Sequence, residues 1–140
     1  LLCYIRILMY LNSYIYYLQY LHEAKLIRLL YSDDLSVKKM QKPDKILMEN
    51  TNLLQALSLQ VPNIGTMRET FFCNQLGYTH QVEYNKRGDY LIDHKYVFEI
   101  GGKAKDGKQV ANMENAYIAS DECDYPIGNK LPLWLFGLMY

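Results

Sequence analysis

The spacing of apolar residues separates a helical N-terminal segment from a longer stretch of short elements. Apolar side chains within residues 14–26 follow helical spacing, and residues 27–30 stay largely apolar until Asp33 ends the run. This pattern predicts an amphipathic helix that ends in a short extended segment. Residues 1–21 are also apolar, but Arg6 and several polar side chains interrupt them. A membrane span needs about 20 nearly uninterrupted apolar residues, so we predict no membrane association.

Beyond residue 45 the hydrophobic pattern predicts an α/β domain. Asn50 or Thr51 is the predicted N-cap of a first helix, and Thr66 with Glu69 forms a capping-box pattern that predicts a second helix to about Leu76. The predicted fold is a small mixed sheet flanked by helices, with the helix of Glu69 on one face and the apolar C-terminal segment sealing an edge. The predicted strands are residues 46–48, which we expect to be buried, 81–84, 89–93, 96–100 and 116–119, with 89–93 and 96–100 forming a tight hairpin.

Composition limits the classes of protein that the chain could represent. Its 140 residues suit a single domain, and its 15 basic and 15 acidic side chains exclude a globally basic nucleic-acid binder. The three cysteines lack the spacing of a zinc site, and an odd count does not suit a disulfide framework. We therefore expect reduced thiols and a cytoplasmic protein. Leu1 begins the chain within an apolar run, which indicates a piece of a longer protein.

A glycine-rich segment after the predicted strand 96–100 has the spacing of a phosphate-binding loop. Residues 102–108 fit G-x-x-x-x-G-K, but Gln109 occupies the position where such a loop needs Ser or Thr to contact magnesium. Charged residues also replace the small ones that let backbone amides surround a phosphate. We therefore predict a glycine-rich hairpin here and no ATP site in this chain.

Three carboxylates form a more informative pattern. The pattern consists of Glu69 on a helix, Asp89 at one strand and Glu99 on the next. It resembles the arrangement of carboxylates with which PD-(D/E)XK nucleases bind Mg²⁺. A hard cation prefers such converging carboxylate oxygens. That pattern has a lysine two residues after the strand glutamate, where this chain has Gly101. Lys103 shares the face of Glu99 but starts ~7 Å farther along, at a rise of ~3.4 Å per residue, unless a bulge shortens the path.

Each carboxylate also has a simpler interpretation. Glu69 would cap its helix, Asp89 would follow Gly88 in a turn, and Glu99 would face solvent from its strand. The spacing of three acids among 15 does not choose between these interpretations and a metal site.

A series of longer motifs resembles the C-terminal region of a family of predicted bacterial AAA+ ATPases. The resemblance covers residues 14–140. The motifs, in order, are KPDKI at residues 42–46, ENTNL at 49–53, GTMRETFFCNQL at 65–76, GDYLID at 88–93, FEIGGK at 98–103 and IGNKLPLWLFG at 127–137.

The resemblance implies a domain organisation for this chain. In these ATPases a winged-helix segment precedes a domain of unknown function that is similar to PD-(D/E)XK nucleases. Residues 1–40 would then be a helical remnant of the winged-helix region, and residues 41–140 would be the nuclease-like domain with a restriction-endonuclease-like fold. ATP would bind only to the upstream ATPase domain, which would also be the partner of this chain.

Three functions follow as alternatives. The first is a catalytically degenerate accessory domain that recognises nucleic acid or a partner, and the second is an active Mg²⁺-dependent nuclease. In the nuclease, Glu69, Asp89 and Glu99 would be metal ligands and Lys103 would replace the missing lysine. The third is a protein-interaction module without a nucleic-acid role. Contact with DNA would involve Lys103, Lys105 and Lys108.

Overall fold

The computed structural model describes residues 2–32, 42–105, 107–108, 110 and 113–139, with side chains described from residue 13 onward. Gln109 and the predicted domain boundary at residues 40–41 lie outside the described residues. Within the described part of the chain, no helix is both long and apolar enough to cross a membrane.

The N-terminal segment forms a helix followed by a strand, as the sequence predicts. Helix α1 spans Leu2–Glu23, and Lys25 then adopts a positive φ of 57°, a backbone conformation that stops a helix. Strand β1 (Ile27–Leu30) pairs antiparallel with β2 (Lys45–Met48). The expectation that β2 is buried was wrong in part. Leu47 is 4% exposed but Ile46 is 40% exposed, because a two-stranded sheet leaves one face open.

Two short helices follow β2. Helix α2 spans Thr51–Leu57, and the Asn50 side chain accepts a hydrogen bond from the Leu53 amide at 2.9 Å, which confirms the predicted N-cap. Helix α3 spans Ile64–Leu76 and begins earlier than predicted. Its N-cap is Asn63, whose side-chain oxygen accepts from the Gly65 amide at 2.8 Å. The capping box at Thr66 was therefore wrong.

The remaining strands are β3 (Val82–Tyr84), β4 (Tyr90–Ile92), β5 (Tyr96–Gly101), β6 (Ala116–Ser120) and β7 (Lys130–Pro132). They form one mixed sheet in the order β3-β4-β5-β6-β7. Strands β3, β4 and β5 are antiparallel neighbours, whereas β6 is parallel to β5 and β7 is parallel to β6. The segment between β5 and β6 is consequently a crossover, and the predicted glycine-rich hairpin at residues 102–108 was wrong.

A cluster of aromatic rings joins α3 to one face of this sheet. The Phe72 ring lies 5.8 Å from the Tyr90 ring, 5.1 Å from the Phe98 ring and 4.8 Å from the Phe136 ring, measured between centroids. Phe136 belongs to a 3₁₀ helix, Leu133–Leu138, that follows the edge strand β7. The fold is thus an α/β fold with a small mixed sheet flanked by helices, as the sequence predicts.

The two faces of β5 contact different parts of the molecule. Phe98 and Ile100 belong to the core that includes α3, whereas Val97 packs with Val110 and Ile118. Because side chains alternate along a strand, Val97 and Glu99 share the face that points away from α3.

Candidate functional site

Glu99 is a buried carboxylate at the centre of the sheet. It is 2% exposed, so the interpretation of Glu99 as a solvent-facing strand residue was wrong. One carboxylate oxygen, Oε1, pairs with the Lys105 ammonium at 2.9 Å. The other, Oε2, is buried and has no hydrogen-bond partner among the described residues. An unpartnered buried carboxylate oxygen carries a desolvation cost that a bound cation would offset.

Lys105 occupies the space that a side chain at Gly101 would need. A β-carbon built on Gly101 would lie 2.8 Å from Cγ and 2.9 Å from both Cβ and Cδ of Lys105. The Lys105 amide donates to the Gly102 carbonyl at 3.0 Å, which closes a turn and brings the chain back over the end of β5. The lysine beside Glu99 is therefore Lys105. Lys103, predicted for this role, is exposed.

Asp89 directly precedes β4, next to the strand that carries Glu99. Its amide donates to the Phe98 carbonyl at 2.8 Å, and its Oδ2 accepts from the Ile100 amide at 2.6 Å. The register of β4 and β5 ends at the pair Tyr90 and Phe98, and the hydrogen bonds of Asp89 place it beside β5 at residues 98 and 100. The structure thus brings Glu99 and Lys105 together, and Asp89 contacts the backbone of the residues on either side of Glu99.

Glu69 lies on the other side of the sheet. It is the sixth residue of α3, and its Oε1 pairs with the Lys45 ammonium at 2.7 Å, so it does not cap the helix. Lys45 Nζ lies 5.2 Å from the centroid of the Tyr90 ring, which is on the α3 face of the sheet. The sheet therefore separates Glu69 from Glu99, and each carboxylate has a lysine of its own.

Two further titratable groups are buried near Glu69. Burial raises the pKa of the Cys73 thiol to about 12, and the nearby Tyr90 hydroxyl and positive charges offset only part of that rise. Burial is also the main cause of the raised pKa of Tyr90, followed by Cys73 and Glu69. Both groups are neutral at neutral pH, so neither supplies a nucleophile or a base there.

The basic side chains predicted for nucleic-acid contact have two different environments. Lys103 and Lys108 are exposed, whereas Lys105 is partly buried against Glu99. Arg68 is directed towards the same loop, where its guanidinium would meet a β-carbon on Gly102 at 3.1 Å, and it pairs with Asp121 at 2.9 Å. Of these three predicted lysines, Lys103 and Lys108 are therefore the two that lie at the surface.

Sequence reasoning missed the contacts of three lysines: Lys45 with Glu69, Lys105 with Glu99, and Lys130 with the loop after β5. Each contact joins segments that are distant in sequence or separated by a tight turn, and no local motif marks it.

In the part of the chain that the structure describes, no three Asp, Glu, His or Cys side chains form a group that could hold a metal ion. Comparisons of the chain with protein-family models, with curated proteins and with solved structures found no match.

Proposed function

We propose that this chain is the nuclease-like domain of a cytoplasmic AAA+ family ATP-binding protein, and that Asp89, Glu99 and Lys105 form its site for a phosphodiester. The observation that carries the proposal is the position of Lys105, whose side chain fills the space above Gly101 and reaches Glu99 at 2.9 Å. The resemblance to PD-(D/E)XK nucleases requires a lysine at that place. Lys105 supplies it from a later position in the chain.

The donor atoms suit a hard divalent cation such as Mg²⁺. Asp89 Oδ2 accepts from the amide of Ile100, the residue after Glu99, and Glu99 Oε2 is a buried oxygen without a hydrogen-bond partner among the described residues. Mg²⁺ is often held by one or two carboxylates and keeps several waters. When bound, such an ion polarises a phosphoryl oxygen and lowers the pKa of a bound water. Glu69, on the opposite face, would not be a ligand in this arrangement.

The side chains of the chain itself would perform the remaining tasks. The Lys105 ammonium is a positive charge beside the Glu99 carboxylate, suited to stabilise negative charge that develops on a phosphate. Asp89 is oriented by the Ile100 amide, so its carboxylate needs little reorganisation. A buried site also strengthens these electrostatic interactions.

A cleavage assay with matched variants tests the proposal. DNA and RNA substrates are incubated with the purified chain and with Mg²⁺ or Mn²⁺. We expect cleavage that requires the metal and falls at least about a hundredfold in Lys105→Met, a typical cost for removing one charged or proton-transferring group. Lys86→Met is the control, because Lys86 is an exposed lysine in the turn before β4. Absence of metal-dependent cleavage, or equal cleavage by the wild type and Lys105→Met, would contradict the proposal.

A second candidate is the catalytically degenerate accessory domain. It is favoured by the pairing of both glutamates with lysines, Glu99 with Lys105 and Glu69 with Lys45, on opposite faces of the sheet. This candidate predicts no cleavage together with nucleic-acid binding that depends on Lys103 and Lys108. If neither cleavage nor nucleic-acid binding is found, the protein-interaction module becomes the remaining alternative.

A further inference from the structure

The loop that carries Lys105 is tied to the two last strands of the sheet by its carbonyl oxygens. The Ser120 hydroxyl on β6 donates to the Gly102 carbonyl at 3.1 Å. The Lys130 ammonium on β7 donates to the Lys103 carbonyl at 2.6 Å and to the Lys105 carbonyl at 3.3 Å. A charged donor forms stronger hydrogen bonds with carbonyl oxygens than a neutral one does. Lys130 is therefore the main side-chain anchor of residues 103–105 in the described structure.

Lys130 is well placed to act as an anchor, because its own backbone is fixed. The amide of Ile127 donates to the Lys130 carbonyl at 2.9 Å, and the amide of Lys130 donates to the Ile127 carbonyl at 3.0 Å. Gly128 completes this turn with a positive φ of 59°, which glycine adopts without strain. Lys130 also stands opposite Ile118 in the parallel pairing of β6 and β7.

The loop itself has little conformational preference. Glycines at positions 101, 102 and 107 lie before and after Lys105 and widen the range of backbone conformations open to an unanchored chain. Holding the Lys105 ammonium against Glu99 therefore requires contacts from outside the loop, since ordering flexible residues costs conformational entropy.

We propose that Lys130 is a positioning residue, which fixes the carbonyls of Lys103 and Lys105 and thereby holds the Lys105 ammonium against Glu99. The catalytic consequence of this arrangement rests on the proposed nuclease function. The effect of Lys130 on the contact between Lys105 and Glu99 does not rest on that function. This effect can be measured even if the chain cleaves no nucleic acid.

Trace acetylation of lysines tests the proposal without an activity assay. The folded chain is exposed to a small amount of acetic anhydride, and mass spectrometry of its peptides gives the acetylation rate of each lysine. In Lys130→Met we expect the rate at Lys105 to rise at least about threefold, because an ammonium released from Glu99 becomes more accessible to the reagent. The rates at Lys86 and Lys95 serve as internal references within each variant.

The conservative variant separates positioning from a general effect on folding. Lys130→Arg keeps a charged fork that can donate to two carbonyls, so it should hold the Lys105 rate near that of the wild type. Lys130→Gln is measured in parallel, and circular dichroism establishes that each variant is folded. An unchanged Lys105 rate in both Lys130→Met and Lys130→Gln would overturn the proposal, as would equal increases in Lys130→Arg and Lys130→Met.

The cleavage assay then distinguishes this inference from the proposed function. If the wild type cleaves nucleic acid, Lys130→Met should lower the turnover rate and Lys130→Arg should restore it. If the wild type does not cleave but acetylation of Lys105 responds to Lys130→Met, the nuclease function fails and the positioning role stands.

Discussion

A β-carbon at Gly101 would lie 2.8 Å from Cγ of Lys105, so the two positions compete for one side-chain space. Lys105 fills that space and pairs with Glu99 at 2.9 Å. The lysine beside Glu99 therefore belongs to the turn that follows β5 and not to the strand itself. The relationship explains why glycine is suitable at position 101, since any larger side chain would displace Lys105.

Moving the lysine back to position 101 tests this relationship. Lys105→Ala should abolish metal-dependent cleavage, and the double variant Gly101→Lys with Lys105→Ala should restore part of it, because the new side chain enters the vacated space. Cleavage rates of the three proteins give the result. A double variant as inactive as Lys105→Ala would argue against equivalent positions for the two side chains.

The same overlap predicts a coupling in stability. Gly101→Ala should lower the free energy of unfolding by about 1 kcal/mol in the wild type, the low end of the cost of overpacking. In a Lys105→Ala background the same change should cost less, because the competing atoms have been removed. Urea unfolding of the four proteins of this double-mutant cycle measures the difference. Equal costs in both backgrounds would mean that the two side-chain positions do not overlap in solution.

The raised pKa of Cys73 predicts a loss of stability at alkaline pH. The ordinary thiol value is 9.0 and burial raises it to about 12, so above pH 9 the unfolded chain loses a proton that the folded chain retains. The unfolded state then binds fewer protons, and the free energy of unfolding falls by about 1.4 kcal/mol per pH unit. Tyr90, with an ordinary value of 10.0 that burial also raises, adds to the loss only above about pH 10.

Urea unfolding between pH 8 and pH 10 checks this prediction against Cys73→Ala. The variant should be less stable at neutral pH because it leaves a small cavity, but its stability should decline less steeply above pH 9. Parallel declines in the two proteins would show that the Cys73 thiol does not determine the slope.

Nucleic-acid binding should depend on Lys103 and Lys108 through their charge alone. We expect each change to glutamine to weaken binding to all sequences alike and to reduce the slope of log K against log salt by about 1. Lys86→Gln is the matched control on another exposed turn. Fluorescence anisotropy at several salt concentrations measures the slopes. An unchanged slope in the Lys103 and Lys108 variants would remove these residues from any nucleic-acid surface.

The parts of the fold that sequence could predict are those determined by local chemistry. The β4–β5 hairpin follows from two alternating segments and a short turn in which Asp93 and His94 have φ values of 52° and 54°. Asn50 caps α2 because its side chain reaches the Leu53 amide three residues later. The start of α3 was missed because Asn63 and Thr66 are both good capping residues, and tertiary packing chooses between them.

The candidate site could be predicted only in part. The hairpin pattern predicted that Asp89 lies next to the strand of Glu99, and the hydrogen bond from the Ile100 amide agrees with this. The face of β5 on which Glu99 lies could not be predicted, because it depends on how the neighbouring strand residues pack in the two cores. Lys105 reaches Glu99 through a turn closed by the Gly102 carbonyl and held by Lys130, 25 residues farther along the chain. Such a contact arises from the folded loop, and no periodicity in the sequence indicates it.

Calorimetric titration of Mn²⁺ into the chain tests the central claim most directly. The account predicts saturable binding in the wild type and in Glu69→Gln, whose side chain lies on the opposite face with Lys45, and loss of binding in Asp89→Asn. Asparagine retains an oxygen that can accept from the Ile100 amide, so the fold should persist, and its unfolding temperature checks this. Absence of binding in the wild type, or undiminished binding in Asp89→Asn, would contradict the proposed site.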